Sequence, residues 1–204
     1  MAWTYQQLFN GLTDGDLNGQ DSWSGSAAYD VTTETSYEGA KDLKLVAIGS
    51  YLTIERVVTG VAAGVVYVSM KWSEAANTAQ KIELRNQAGA LSLLVYFNGS
   101  NILGLIVGDY ITIQASPSAD TWYRVGMEWE DTNHTIRYNV NNGTWSAWQT
   151  PDSSWTTIDK IDFTVQQSPL GSLVARFDTI SPNYTPVVAT VAGYPPTLLF
   201  MNAG

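Results

Sequence analysis

Apolar residues recur at every second position through most of this chain, in runs separated by short polar breaks. The alternation is plain in residues 51–58, 64–72, 80–85, 91–97, 110–114, 121–130, 134–140, 158–166 and 172–180. A period of two is the mark of a strand with one buried face. These runs are also rich in the β-branched and aromatic residues that suit a pleated surface. Glycine, asparagine, aspartate, serine and proline punctuate them at roughly ten-residue spacing, as in a sandwich or barrel. No amphipathic helical stretch exceeds about two turns. In one run the alternation shows which side is inside: Tyr123, Val125, Met127 and Trp129 face one way, whereas Arg124, Glu128 and Glu130 face the other, with Trp122. Hairpins are predicted at Asn98-Gly99 and Asn142-Gly143, because Asn-Gly supplies the positive φ angles of a tight turn. The pattern predicts an all-β fold of two antiparallel sheets, a β-sandwich over residues 1–181.

The pattern fails at the C-terminal end. After Asp178 no charged side chain occurs, and Pro182, Pro186, Pro195 and Pro196 interrupt the stretch. Residues 182–204 therefore read as an apolar, uncharged arm, too short and too proline-broken to anchor in a membrane. Leu198, Leu199, Phe200 and Met201 are its candidate assembly contacts, to a second copy or to other proteins of a virion or cell surface.

Composition narrows the function. Only 14% of residues are charged, against 45% hydrophobic and 12% aromatic, so the surface must be largely uncharged and polar. Such surfaces suit proteins outside cells or packed into assemblies. The net charge of −9 opposes binding to nucleic-acid phosphates and to anionic lipid. With no cysteine there is no disulfide, thiolate metal site or thiol nucleophile. The first residues carry neither the basic nor the apolar region of a secretory signal.

Three kinds of chemistry have candidates. For catalysis, the single histidine, His134, falls in a turn, and the best carboxylate cluster is Glu128-Trp129-Glu130-Asp131. A solvated strand face explains that cluster more simply than a glycosidase pair does. For a metal, Asp14-Gly15-Asp16-Leu17-Asn18-Gly19 has the D-x-D-x-N-G start of a calcium loop, but Gly25 stands where an EF-hand requires glutamate. Its plainer reading is a turn capped by its own side chains. For sugar binding, Trp145 and Trp148 sit near the Asn142-Gly143 hairpin and Trp155 in the next loop, and an exposed indole face can stack on a pyranose.

Several segments carry a resemblance. Residues 9–23 (FNGLTDGDLNGQDSW), 37–45 (YEGAKDLKL), 120–125 (DTWYRV) and 175–180 (ARFDTI) resemble the concanavalin A-like (laminin G-like) jelly rolls of phage and environmental bacterial proteins, over about residues 6–181. The resemblance implies a two-sheet jelly-roll sandwich. It also implies a structural Ca2+ between an N-terminal loop and the last strand, which would join Asp178 to Asp14, Asp16 and Asn18. The superfamily's glucanases carry Glu-x-Asp-x-x-Glu on a strand; the corresponding Glu128-x-Glu130-x-x-Asn133 lacks the central Asp and the final Glu. A fold of many functions does not choose among them. The sequence is best read as a non-enzymatic, lectin-like display protein of an assembled particle such as a phage virion (decoration, fibre or tail-associated), with weak glycan binding. The alternatives are a carbohydrate-binding module or adhesin at a bacterial surface and, third, an atypical glycoside hydrolase or lyase.

Overall fold

A computed structural model describes residues 2–47, 51–73, 78–86, 88–153, 155–167 and 173–184. Its strands are Gly15–Asp16 (β1), Trp23–Gly25 (β2), Tyr29–Thr32 (β3), Asp42–Ala47 (β4), Tyr51–Val61 (β5), Gly64–Trp72 (β6), Thr78–Arg85 (β7), Leu91–Phe97 (β8), Asn101–Ile106 (β9), Asp109–Ala115 (β10), Tyr123–Glu130 (β11), Thr135–Val140 (β12), Ile158–Gln167 (β13) and Leu173–Ser181 (β14). They form two seven-stranded sheets. The first has the order β1-β3-β4-β14-β6-β11-β12 and the second β10-β9-β8-β7-β13-β5-β2. Their strand pairings are antiparallel. Among the described residues no helix is long and apolar enough to cross a membrane.

The inner faces meet as the alternation predicts. Tyr123, Val125, Met127 and Trp129 are all buried. Ring stacks cross the interior. Phe163 of the second sheet lies 4.3 Å from Phe177 of the first and 5.5 Å from Trp23, both nearly parallel to it. Trp72 of the first sheet stacks on Phe97 of the second at 3.8 Å and on Tyr123 at 5.3 Å. Polar ties add direction. Tyr29 Oη donates to the Leu52 and Phe163 carbonyls, Tyr138 Oη to the Leu105 carbonyl, and Gln80 Nε2 to the Arg176 carbonyl.

Two expectations shift. The second hairpin turns one residue early: Asn141 and Asn142 hold the positive φ angles, 52° and 56°, and Gly143 N–H closes the turn on the Val140 carbonyl at 2.9 Å. The outward-facing Arg124 is not solvated but fully buried. Its guanidinium donates to the Thr179 carbonyl, to the Asn183 carbonyl at 3.3 Å and to Ser69 Oγ at 3.3 Å, between the rings of Tyr37 and Tyr67. Burial pulls its pKa down to about 10, so it stays charged at neutral pH. The first residues of the arm thus lie on their own sandwich, with the Tyr184 ring 5.6 Å from that of Tyr67. The remainder of the arm, with Leu198, Leu199, Phe200 and Met201, lies outside the described residues.

Gly104 sits where β9 passes the buried Tyr138 ring, and a Cβ there would come within 2.5 Å of Cδ2. Gly104→Ala should cost ~1–3 kcal/mol through overpacking. Denaturant titration would show a lower midpoint with an unchanged slope; an unchanged midpoint would mean that Tyr138 has room to move.

Candidate functional site

The outer face of the second sheet carries polar groups that neither packing nor solubility requires. On β5, β13 and β7 the register sets Glu55 beside Asp162 and Asp162 beside Glu83, a row of three carboxylates on adjacent strands. Cross-strand neighbours have Cβ atoms ~5 Å apart, so this row would repel itself without cations. Two cations enter it. Lys160 Nζ meets Glu55 Oε2 at 3.0 Å. Arg85 Nε lies 2.9 Å from Asp162 Oδ2 and 3.1 Å from Glu83 Oε2. Two oxygens bound to one nitrogen at those distances are within about 6 Å of each other. Burial opposes the Arg85 charge, but contact with Glu83 and Asp162 outweighs it and raises the pKa.

Asp162 is the perturbed member. It is 4% exposed, and burial pushes its carboxyl up to about 7 even though Arg85 pulls the other way. Its Oδ1 is buried without a hydrogen-bond partner. A buried acceptor of that kind is costly unless something donates to it. The row floors an open depression of about 430 Å³, whose walls include Tyr51, Thr53 and Thr164. Aromatic rings continue the same face. Tyr51 is 59% and Tyr110 42% exposed, and the Tyr96 ring lies 5.9 Å from that of Tyr110. Lys81 Nζ sits 5.6 Å from the Tyr51 ring and 5.5 Å from that of Tyr96, which ties the rings into one surface. A perturbed carboxyl beneath a depression that one exposed ring borders, on a face that carries further rings, is the combination expected of a ligand site.

The residues singled out from sequence are placed differently. Trp155 is corrected: it is 3% exposed and donates Nε1–H to the Ala62 carbonyl at 3.1 Å, so it belongs to the core. Trp145 and Trp148 lie on the outer face of the first sheet, with the Arg137 guanidinium carbon 5.1 and 4.3 Å from their ring centroids. Trp148 is 40% exposed, but Arg137 covers part of its ring, and Trp145 is packed on Tyr67. Glu128 pairs with Arg137 at 2.6 Å, whereas Glu130 accepts from Asn133 and Thr135. Both carboxylates are thus held by partners from their own hairpin. His134 is an exposed turn residue with φ 48° beside the Trp155 ring.

The expected calcium ligands are not brought together. Asp16, Asp30, Lys44 and Arg176 follow one another across β1, β3, β4 and β14, so Asp16 stands three strand spacings, about 14 Å, from the strand of Asp178. Asp14 pairs with Lys41 at 2.8 Å. Asp16 Oδ1 accepts from Asn18 N–H, and Asn18 Oδ1 from Gly25 N–H, which is turn capping. Asp178 is fully buried and accepts from the N–H groups of Tyr37, Glu38 and Thr179. Among the described residues no group of three or more His, Cys, Asp or Glu is disposed to hold a metal ion.

The carboxylate row was missed because its members are far apart in sequence and meet only through strand register. A weak signal existed: Glu55, Glu83 and Asp162 each occupy a polar position of a strand that alternation identifies.

No family model matches this chain, and no curated protein is recognisably similar to it. Solved structures are similar in shape. A sialidase matches with a TM-score of 0.66 at 12% identity over 83% of this chain, which spans only 18% of that protein's length. The cellulose-induced protein Cip1 matches at 0.60 and 16% identity, over 87% of this chain and 95% of its own. A Bacillus licheniformis β-glucanase matches at 0.58 and 13% identity, over 89% and 98%. At such identities a likeness speaks for the fold alone, and on that ground the chain has the concanavalin A-like lectin/glucanase fold.

Proposed function

We propose that this protein is a non-enzymatic glycan-binding sandwich whose binding face is the outer surface of the second sheet. The observation that carries the reading is the depression floored by Glu55, Asp162 and Glu83 and walled on one side by Tyr51, with the rings of Tyr96 and Tyr110 further along the same sheet face. Tyrosine faces offer a flat apolar surface to the C–H side of a sugar ring. Hydroxyl groups, both donors and acceptors, match a floor of carboxylates and hydroxyls such as Glu55, Thr53 and Thr164. A sialidase and a β-glucanase share the fold, which is consistent with a carbohydrate ligand. Arg85 supports binding over hydrolysis. It holds Glu83 and Asp162 together, whereas a glycosidase needs one carboxyl free to give a proton and the other free to attack or to activate water. A shallow single site of this kind is weak alone and gains from many copies on one particle, the setting proposed for it.

Tyr51→Ala and Tyr110→Ala should each weaken retention on insoluble polysaccharide ~3–10-fold, the worth of one ring contact. Full retention by the double variant would remove this face from consideration. The wild-type protein should release no reducing sugar from β-glucan; release that is lost in Glu83→Gln would replace the binding reading with a hydrolytic one.

Stability should report the Asp162 carboxyl directly. Its folded pKa of about 7 lies above the unfolded value, so its contribution is whole below about pH 4 and is lost as pH rises through 7. The melting temperature, followed by tryptophan fluorescence, should fall from pH 5 to 8. Asp162→Asn should flatten that fall, leaving the part due to Asp178, whose carboxyl burial also raises to about 7. Superimposable wild-type and Asp162→Asn profiles would show that Asp162 is ionised throughout.

A further inference from the structure

Two sheets have four edges, and three of them are closed or short. β1 and β2 have two and three residues. β12 is covered by the following segment: Ser146 N–H donates to the Tyr138 carbonyl, and Ile136 and Gln149 exchange both backbone bonds. The fourth edge is β10, seven residues long and, among the described residues, paired on one side, with β9. Apart from a bulge between Thr112 and Gln114 it carries few of the usual guards. Asp109-Tyr110-Ile111-Thr112-Ile113-Gln114-Ala115 has no lysine and no proline, and its one charge is at the start. The two-residue turn at Val107-Gly108 puts the Ile106–Asp109 and Gly104–Ile111 pairs in hydrogen bonds across the hairpin. The backbone groups of Tyr110 and Thr112 then point away from β9. Tyr110 N–H is taken by Asp109 Oδ1 at 2.7 Å, which leaves the Tyr110 carbonyl and both groups of Thr112 for a partner.

The same chain carries a segment suited to that edge. Val187-Val188-Ala189-Thr190-Val191 is β-branched at four of its five positions, lies between Pro186 and Gly193, and is uncharged. We propose that this segment adds as a strand to β10 of a second copy of the chain. A bulge between Thr112 and Gln114 limits the regular edge, and a five-residue strand is about what it can take.

Reach selects the second copy over the same one. The described residues end at Tyr184, on the outer face of the first sheet over Tyr67 of β6. Its own β10 belongs to the other sheet, beyond β11 and β12. That is two strand spacings of ~4.8 Å sideways and a sheet separation of ~10 Å in depth, from a starting point already outside the first sheet. The three residues from Tyr184 to Val187 span at most ~11 Å, which falls short. A neighbouring copy can bring its β10 to the arm without that constraint. Backbone hydrogen bonds would supply affinity, and alternate valines would set the register.

The absence of cysteine gives a clean test. Full-length Thr112→Cys is mixed in equal amounts with full-length Val187→Cys or Val188→Cys and oxidised mildly. Adjacent arm positions are used because alternate side chains face opposite sides of a strand. The expected product is a covalent heterodimer at about twice the 22.3 kDa chain mass, several-fold stronger with one arm variant than with the other and several-fold above either homodimer. Tyr110→Cys serves as a second edge position should Thr112→Cys melt below the wild type. A Thr112→Cys homodimer as the main product would mean that β10 pairs with β10. Double variants in one chain that close on themselves at single-chain mass, even when diluted, would mean that the arm lies on its own edge. Either result, or no covalent product at any of these positions, overturns the proposal.

Discussion

A sheet can bury one face only against something that fills the ~10 Å gap beneath it, and in this sandwich aromatic rings do that filling. Trp23, Phe163 and Phe177 form one column, and Tyr123, Trp72 and Phe97 another. Rings fix distance but say little about sliding, since a stack tolerates offset. The tyrosine and glutamine ties supply what the rings lack: Tyr29, Tyr138 and Gln80 each reach a particular carbonyl on the opposite sheet. The outer faces inherit their registers from this interior, and the row of Glu55, Asp162 and Glu83 exists because the strands beneath it cannot slip.

The two outer faces have been put to different uses. That of the first sheet is largely consumed by its own chain. Arg124 and Asp178 are buried there, holding the Tyr37–Glu38 turn and the Thr179–Asn183 carbonyls. Arg176 is likewise spent on Asp42 and Glu34. That of the second sheet keeps its charges in a network with an acceptor left over and rings at its margin. A buried ion network is weak evidence for stability, and the unpartnered oxygen of Asp162 makes this one harder to explain by stability alone.

Period-two alternation located the long strands, because each has one mainly apolar face. It missed β4, it missed β9, where Gly104 stands at an inward position under the Tyr138 ring, and it missed the short β1, β2 and β3, which hold too few residues to show a period. Arg124 looked solvated because polarity marks the outer face without saying what lies over it. Trp155 looked available because its loop was visible and its contact with the Ala62 carbonyl was not. The calcium pattern in 14–19 was real as local chemistry, but the side chains that resemble ligands serve the turn itself. The carboxylate row depended on which strand lies beside which, and one sequence does not contain that information.

Strand order also has a consequence for synthesis. β14, the last of the described strands, lies between β4 and β6 in the middle of the first sheet. Until residues 173–181 leave the ribosome, β4 and β6 have no common neighbour, and the apolar faces of both sheets lack Phe177, the ring that closes one column. Non-local pairings of this kind are slow to form and exposed while they wait. Residues up to 181 must therefore be made before the first sheet can close, and the nascent protein has to stay soluble with two unfinished half-sheets. That is a demand on chaperones, or on translation speed, which the finished sandwich no longer reveals.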